Sequence, residues 1–354
     1  MLEALANAFS GTAWPYALLG YVAIGFFVTR PTGGFGSRVM SAIGWPIEVM
    51  QNVTGSRLLP YLFLIPNLLI FGLYTFAPLF INIGFSFTDG QSINFTEREF
   101  AGTDNFSRLT SEVQIDTGGE NREDDKFQRA VADTIIFVIF QVPVMILFAL
   151  VTALVLNRDI RGRAFWRSVF FYPVMLSPVV VGFLWTLILK RTGVLSLTLM
   201  NWGWIEEPIQ WLSDPSWSMF WSIFVYTWAH LGFYMLILLA GLQAIPKDLY
   251  EAAKMDGTPG WRMLTRITLP LLMPTLLVVT ILSMIKAFQA FEELYAMQVR
   301  WISVVSYIFE TSGLRGQPTA HGLGIAAMAS LLIAIVLMIL SLLQLWLTSR
   351  QTKI

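Results

Sequence analysis

Residues 250–270, YEAAKMDGTPGWRMLTRITLP, form a polar and basic interval between two long apolar runs. Asp248 and Glu251 stand three residues apart just after Pro246, the spacing of a capping box with Asp in place of Ser or Thr. A helix opening there carries Leu249, Ala252 and Ala253, with Met255 on the next turn. The small Ala252-Ala253 pair lets a partner surface approach closely. Asp256-Gly257 predicts a turn, because glycine adopts positive φ without a Cβ penalty. Thr258 then caps a second short helix through Gly260, Trp261 and Arg262, with Pro259 at its first position. The interval reads as a helix-turn-helix hook lying outside a bilayer.

The bilayer follows from composition. The chain has 354 residues, 55% of them hydrophobic and 13% charged, with a mean hydropathy of +0.63. Soluble domains average about 25% charged residues, so a polytopic membrane protein is expected. The net charge of +0 leaves no basic face for nucleic acid. The absence of cysteine excludes disulfides and thiolate metal sites. The 13 Trp, 10 Tyr and 27 Phe suit interface belts and a helical core.

A spanning helix needs roughly 20 apolar residues. Seven stretches meet or approach that length: 13–29, 58–87, 130–156, 168–190, 218–243, 269–290 and 323–347. The first is short and near the N-terminus, but it lacks a basic leader and a clear small-residue cleavage site, so it reads as a retained helix. Arg158, Arg161, Arg163 and Arg167 fall in one loop. Lys247, Lys254, Arg262 and Arg266 fall in another, Arg350 and Lys353 in the tail, and Arg30, Arg38 and Arg57 in the 30–57 link. With seven spans all of these lie on one side, which places them in the cytoplasm and the N-terminus outside. The acid-rich 88–129 loop and the tryptophan-bearing 191–217 segment then lie outside. The apolar face of VMSAIGWPIEVMQNV within 30–57 suits the membrane surface. Frequent prolines in the spans, among them Pro66, Pro78, Pro143 and Pro274, fit a helix bundle whose neighbours satisfy the freed backbone groups.

The whole spaced pattern of the hook is similar to a known one: Glu251-Ala252-Ala253, then Gly257, Ile267 and Leu269-Pro270. It resembles the EAA loop of permease subunits in ATP-driven (ABC) importers. IPKDLYEAAKMDG and ITLPLLMPTL resemble the sugar-importer branch that includes the maltose permeases. YLFLIPNLLIFGLYTFAPLFINIGFSFTD and NRDIRGRAFWRSVFFYPVMLSPVVVGFLW resemble its earlier helices. The resemblance covers about 58–347. It departs at FEELYAMQVRWISVVSYIFE, where many relatives carry Gly-Gly-Pro.

The resemblance implies an all-α membrane protein with the transmembrane fold of a type I ABC importer. Six core helices in 58–354 are joined by an extra N-terminal helix and link in 1–57. It implies a carbohydrate delivered by an extracytoplasmic binding protein across a bacterial inner membrane. A second permease, usually a different chain, completes the path. Two ATPase subunits grip the EAA hooks of the permease pair, in this chain the loop at 244–270 through Glu251, Ala252, Ala253, Asp256 and Gly257. ATP and Mg belong to those subunits. This chain has no G-x-x-x-x-G-K-[ST] loop and is expected to bind no cofactor and to catalyse nothing itself.

Polar residues within spans point inward by default. Tyr226, His230 and Phe233 share one helical face, as do Ser283, Lys286 and Ala290. The resemblance places these six along the sugar path. Bundle packing is the competing reading for Tyr226 and Phe233, and a satisfied buried imidazole for His230. Lys286 has two alternatives, snorkelling to the interface or pairing with Glu292 or Glu293. With two histidines and no metal-spaced cluster in the spans, a metal site is not expected. An ion-coupled secondary transporter is the alternative function. It would need an acid inside the spans, and Asp133, near a span end, is the sole candidate on this reading. A membrane enzyme lacks a catalytic constellation.

Overall fold

The computed structural model describes residues 59–90, 92–110, 123–313 and 321–351. The expected first helix at 13–29 and the 30–57 link lie outside these residues. The chain divides into two compact units, 1–81 and 82–354, whereas the sequence reading set its boundary at 57/58.

In the first unit, α1 (Leu59–Phe71) leads through a π turn (Gly72–Phe76) into α2 (Ala77–Ser86), a helix that runs on past the division. The expected single helix over 58–87 therefore carries a widened turn, closed by the Ala77 N–H on the Gly72 carbonyl. Pro78 supplies the cause. Its ring crowds the carbonyl four residues back, and widening the preceding turn relieves the clash.

The second unit continues with a two-stranded antiparallel hairpin, β1 (Thr88–Asp89) and β2 (Glu99–Phe100), and with α3 (Asp104–Thr110). Arg98, 8% exposed, ties this region together. Its guanidinium donates to Thr88 Oγ1 (2.8 Å), the Ser92 carbonyl (2.9 Å) and the Thr88 carbonyl (3.1 Å), and lies over the Phe85 ring. Asp89 accepts from Arg108 (3.0 Å) and faces His321 Nδ1 at 2.7 Å.

The long helices follow. α4 (Glu123–Asn157) is followed by α5 (Arg163–Phe171), a short 3-10 turn (Tyr172–Met175), α6 (Pro178–Leu189) and α7 (Val194–Asn201). The expected span over 168–190 is thus broken. Ser177 is extended (φ −62°, ψ 133°), as the residue before a proline prefers, and Pro178 opens α6. Membrane-crossing length is reached over Pro178–Asn201 instead. α5 carries Arg163 and Arg167 on one face. With the Gln243 amide turned to meet them, its Oε1 accepts from both guanidinium groups at 2.8 and 2.9 Å.

α8 (Pro215–Gln243) is the central helix. Asp214 caps it by accepting from the Ser216 and Trp217 amides. It packs against α4, and Tyr234, Met235, Leu238 and Leu242 are almost wholly buried in the main core with Met145, Ala149 and Leu272. Gly232 lets it approach the α5 end closely, since a Cβ there would lie 2.6 Å from Phe171 Cα. Beyond it come α9 (Lys247–Met255), α10 (Gly260–Met263), a second π turn (Leu264–Thr268) and α11 (Leu269–Phe288). This π turn also ends just before a proline, Pro270, so the same relief applies.

Two short helices, α12 (Glu292–Met297) and α13 (Val304–Thr311), precede α14 (Gly322–Gln351). Among the described residues, six helical stretches are long and apolar enough to cross a membrane: 64–86, 126–157, 178–201, 215–243, 260–288 and 322–347. The tryptophan segment also orders: Trp211, 5% exposed, donates through Nε1 to Ser196 Oγ (2.8 Å) and stands edge-on to Trp217.

Candidate functional site

The hook forms, with its caps moved by two residues at the first helix and one at the second. Pro246 is extended and fixes the start of α9 at Lys247, so Asp248 sits inside the first turn and caps nothing with its side chain. Likewise Pro259, not Thr258, precedes α10, and no side chain caps it. The turn between them is as the glycine demands. The Thr258 amide donates to the Ala253 carbonyl (2.9 Å) and the Gly257 amide to Lys254 (3.0 Å), closing a Schellman motif with Gly257 at φ +67°.

That closure divides the expected coupling residues. Glu251, Ala252, Asp256 and Gly257 are exposed, while Ala253 is buried against the bundle. Exposed apolar side chains flank them: Leu249, Met255 at 89% and Trp261 at 72%. Tyr250 turns inward and its hydroxyl meets Thr268 Oγ1 at 3.2 Å, which ties α9 to the start of α11. A groove of about 640 Å³ runs beside this tie, lined by Asn157, Arg158, Tyr250, Lys254 and Trp261.

The second group of expected residues lies where α8 meets α11 and α12. Tyr226 is 3% exposed; its hydroxyl donates to the Lys286 carbonyl (2.9 Å), and its ring stacks on His230 at 4.3 Å. His230 is half-buried, with Nδ1 3.0 Å from the Tyr226 carbonyl and 3.7 Å from Glu293 Oε1. Ser283 and Ala290 are buried, while Phe233 and Lys286 face outward from the chain. The six expected residues therefore separate. Tyr226, Ser283 and Ala290 belong to the packed interior, and His230, Phe233 and Lys286 reach the surface.

Glu293 was missed. It is 4% exposed and its Oε1 has no hydrogen-bond partner among the described residues. It lies in the segment where the sequence departs from its resembled pattern, and it is positioned by α12 packing on α6. Gly182 makes that possible, because a Cβ there would run into the Glu293 carbonyl and come 2.7 Å from Ala296 Cβ. Glu293 lies in α12, outside the six apolar stretches, and Asp133 is the one acid within them among the described residues. Asp133 itself accepts from the Ile302 amide (3.4 Å) and anchors the chain entering α13. Trp301 makes a parallel anchor through Nε1 to Ser222 Oγ (2.9 Å). The nearby Lys286 forms no ion pair with Glu292 or Glu293. Among the described residues no cluster of His, Asp or Glu could hold a metal.

Residues 124–353 match the family described as binding-protein-dependent transport system inner membrane component. The chain belongs to that family. It is a multi-pass membrane component of a transport system that depends on a binding protein. It is 34% identical over 236 residues to the lactose transport system permease protein LacF of Rhizobium radiobacter, covering 66% of this chain and 74% of that one. It is 30% identical over 241 residues to the sn-glycerol-3-phosphate transport system permease protein UgpA of Agrobacterium fabrum, covering 68% and 77%. In fold it is similar to a chain of a bacterial alginate ABC transporter solved in complex with an alginate pentasaccharide-bound periplasmic protein. That match has a TM-score of 0.67 and 23% identity, and covers 86% of this chain and 98% of the other. The importer transmembrane fold expected from the sequence is therefore present.

Proposed function

We propose that this chain is the membrane-spanning permease subunit of an ATP-driven carbohydrate importer. The exposed hook at 244–270 carries this reading: its closed turn presents Glu251, Ala252, Met255 and Trp261 as a compact surface beside the membrane helices. Of the two ATPase subunits one docks there and the other on the second permease, and ATP with Mg is hydrolysed in them and not in this chain. Met255 and Trp261 supply apolar contact area, and Glu251 and Asp256 supply charge for orientation. A second permease chain, of different sequence, completes the path. The hook lies on the cytoplasmic side with the C-terminus, and the N-terminus lies outside.

Support for a carbohydrate comes from LacF, named for lactose, and from the alginate transporter in fold. His230, Phe233 and Lys286 line the path at the surface of this subunit, with Tyr226, Ser283 and Ala290 shaping the wall behind them. The test is Glu251→Lys in the complete transporter reconstituted in vesicles. Saccharide uptake falls while ATP hydrolysis by the partner subunits is lost or runs without uptake. Wild-type ATP-driven uptake in that variant would sink the coupling role, and uptake driven by an ion gradient without ATP would revive the secondary-transporter reading.

A further inference from the structure

The groove of about 640 Å³ beside the Tyr250–Thr268 tie has a lining in two layers. Leu154, Leu242 and Leu264 form the inner one. Leu154 and Leu242 stand at the ends of the apolar stretches 126–157 and 215–243, and Leu264 opens the π turn that feeds α11. These side chains therefore lie at the depth where three spanning helices leave the bilayer on the hook's side. Arg158 and Lys254 form the rim. Arg158 follows the stretch 126–157 directly, and Lys254 is in the last turn of α9. Both are exposed, and neither forms an ion pair or a side-chain hydrogen bond among the described residues.

Each cation sits at the C-terminal end of a helix, where the free carbonyls favour positive charge. That preference accounts for either residue alone. It does not account for two cations on one groove without a counter-charge. Asp159, Glu251 and Asp256 are close in sequence, yet none of them lines it.

An occupant must answer both layers, with negative charge at the rim and an apolar body below. A phospholipid with an anionic headgroup has both, and its orientation in the bilayer already matches that of the groove. Basic pockets between spanning helices at the membrane surface are a recurrent form of such sites. A free phosphate would fill the rim and leave the leucines uncovered. A soluble ATPase subunit approaches from the aqueous side, meets the exposed face of the hook first, and brings no apolar body to the depth of Leu154 and Leu242.

We propose that this groove binds one anionic phospholipid, its phosphate held by Arg158 and Lys254 and an acyl chain laid along Leu154, Leu242 and Leu264. Asn157, also in the lining, adds an amide N–H donor at the same level. The lipid joins the end of α4 to the hook from the open side, a second tie besides the Tyr250–Thr268 contact. The site does not depend on which solute is carried.

The complete transporter is stripped of lipid in detergent and titrated with phosphatidylglycerol, and bound lipids are counted by native mass spectrometry. Wild type is compared with Arg158→Gln, Lys254→Gln and the double variant. Arg161→Gln is the control, an exposed arginine of the same loop that does not line the groove. A basic side chain beside an anionic lipid contributes a factor of about five in affinity. One saturable phosphatidylglycerol site is expected to weaken about fivefold in each single variant and about thirtyfold in the double one, with the control unchanged. A second measurement uses unaltered charges. Gly260 lines the groove and a Cβ there meets nothing within 4 Å, so Gly260→p-benzoylphenylalanine places a photoreactive group at the site. Irradiated in phosphatidylglycerol-containing vesicles, it is expected to yield a lipid adduct.

Equal binding of phosphatidylcholine with the same chains would overturn the proposal, since charge would then not be read. So would full displacement by the chainless headgroup glycerophosphoglycerol at the lipid's own concentration, because a free anion would suffice. Wild-type affinity in the double variant would also overturn it, as would an adduct at position 260 to an ATPase subunit in place of lipid.

Discussion

Replacing Gly257 by alanine isolates the backbone term in the hook. Gly257 sits at φ +67°, and a Cβ built on it meets nothing within 4 Å. Steric clash with neighbouring groups is therefore absent, and what remains is the strain of an L-residue in the left-handed region, about 1–2 kcal/mol. That strain falls on the closed turn alone, because the open turn can relax to negative φ. One to two kcal/mol corresponds to a roughly 5- to 30-fold rise in the open fraction. The Asp256, Gly257 and Thr258 amides, bonded to Ala252, Lys254 and Ala253, report this opening directly. Hydrogen exchange at these three positions should accelerate by that factor in Gly257→Ala, while amides in the interior of α11 stay unchanged. Gly257→Asn should be milder, since Asn tolerates left-handed geometry, and Gly257→Val more severe. Unchanged exchange in the alanine variant, or an asparagine variant as damaged as the valine one, would refute the argument.

Gly182→Ala tests the opposite case, in which the added methyl meets the Glu293 carbonyl and Ala296 Cβ. Overpacking of this kind costs about 1–3 kcal/mol, which should appear as a lower thermal midpoint in detergent; an unchanged midpoint would count against close α6–α12 contact. Trp301→Phe keeps the stack on Phe137 but removes the bond to Ser222, whose hydroxyl still donates to Ser218. The expected loss is about 1–3 kcal/mol by thermal unfolding, and Ser222→Ala in the same background should add little. Burial raises the Asp89 carboxyl, but hydrogen bonds from His321, Arg108 and the Gly90 amide outweigh it and hold it below its ordinary value. Its folded-state value lies below the unfolded one, so its contribution is present above roughly pH 4 and is lost as pH falls through the folded value. Acid unfolding curves of wild type and Asp89→Asn should therefore converge at the acid end and separate above it.

The spans and the hook were legible because each rests on a local signal. Apolar runs of sufficient length set α4, α8, α11 and α14, and Asp256-Gly257 marked the turn with the residue that positive φ requires. The break between α5 and α6 was hidden by averaging: Phe170, Phe171 and Val174 to Leu176 keep the stretch apolar across Pro173 and Pro178, although the pre-proline bias at Ser177 was there to be read. Helical spacing grouped Tyr226 with Phe233, but α11 covers the first and leaves the second outside. Spacing reports a shared face, and a neighbouring helix need not cover that face along its whole length. The burial of Glu293 could not be read locally. Its neighbours in sequence look like a connecting loop, and His230, 3.7 Å away, lies on a helix earlier in the chain.

The π turn at Leu264–Thr268 has a consequence for how sequences of this kind can change in length. A π turn amounts to an ordinary helical turn with one residue inserted. Deleting a residue there would restore ordinary spacing and leave both flanks in phase, with Tyr250 still over its partner on one side and Leu272 still in the core on the other. The same deletion within Leu269–Phe288 would turn the remainder of the helix by about 100° and bring Ser283 and Ala287 out of the interior. The boundary between hook and span is thus a place where the chain can lose a residue without changing register.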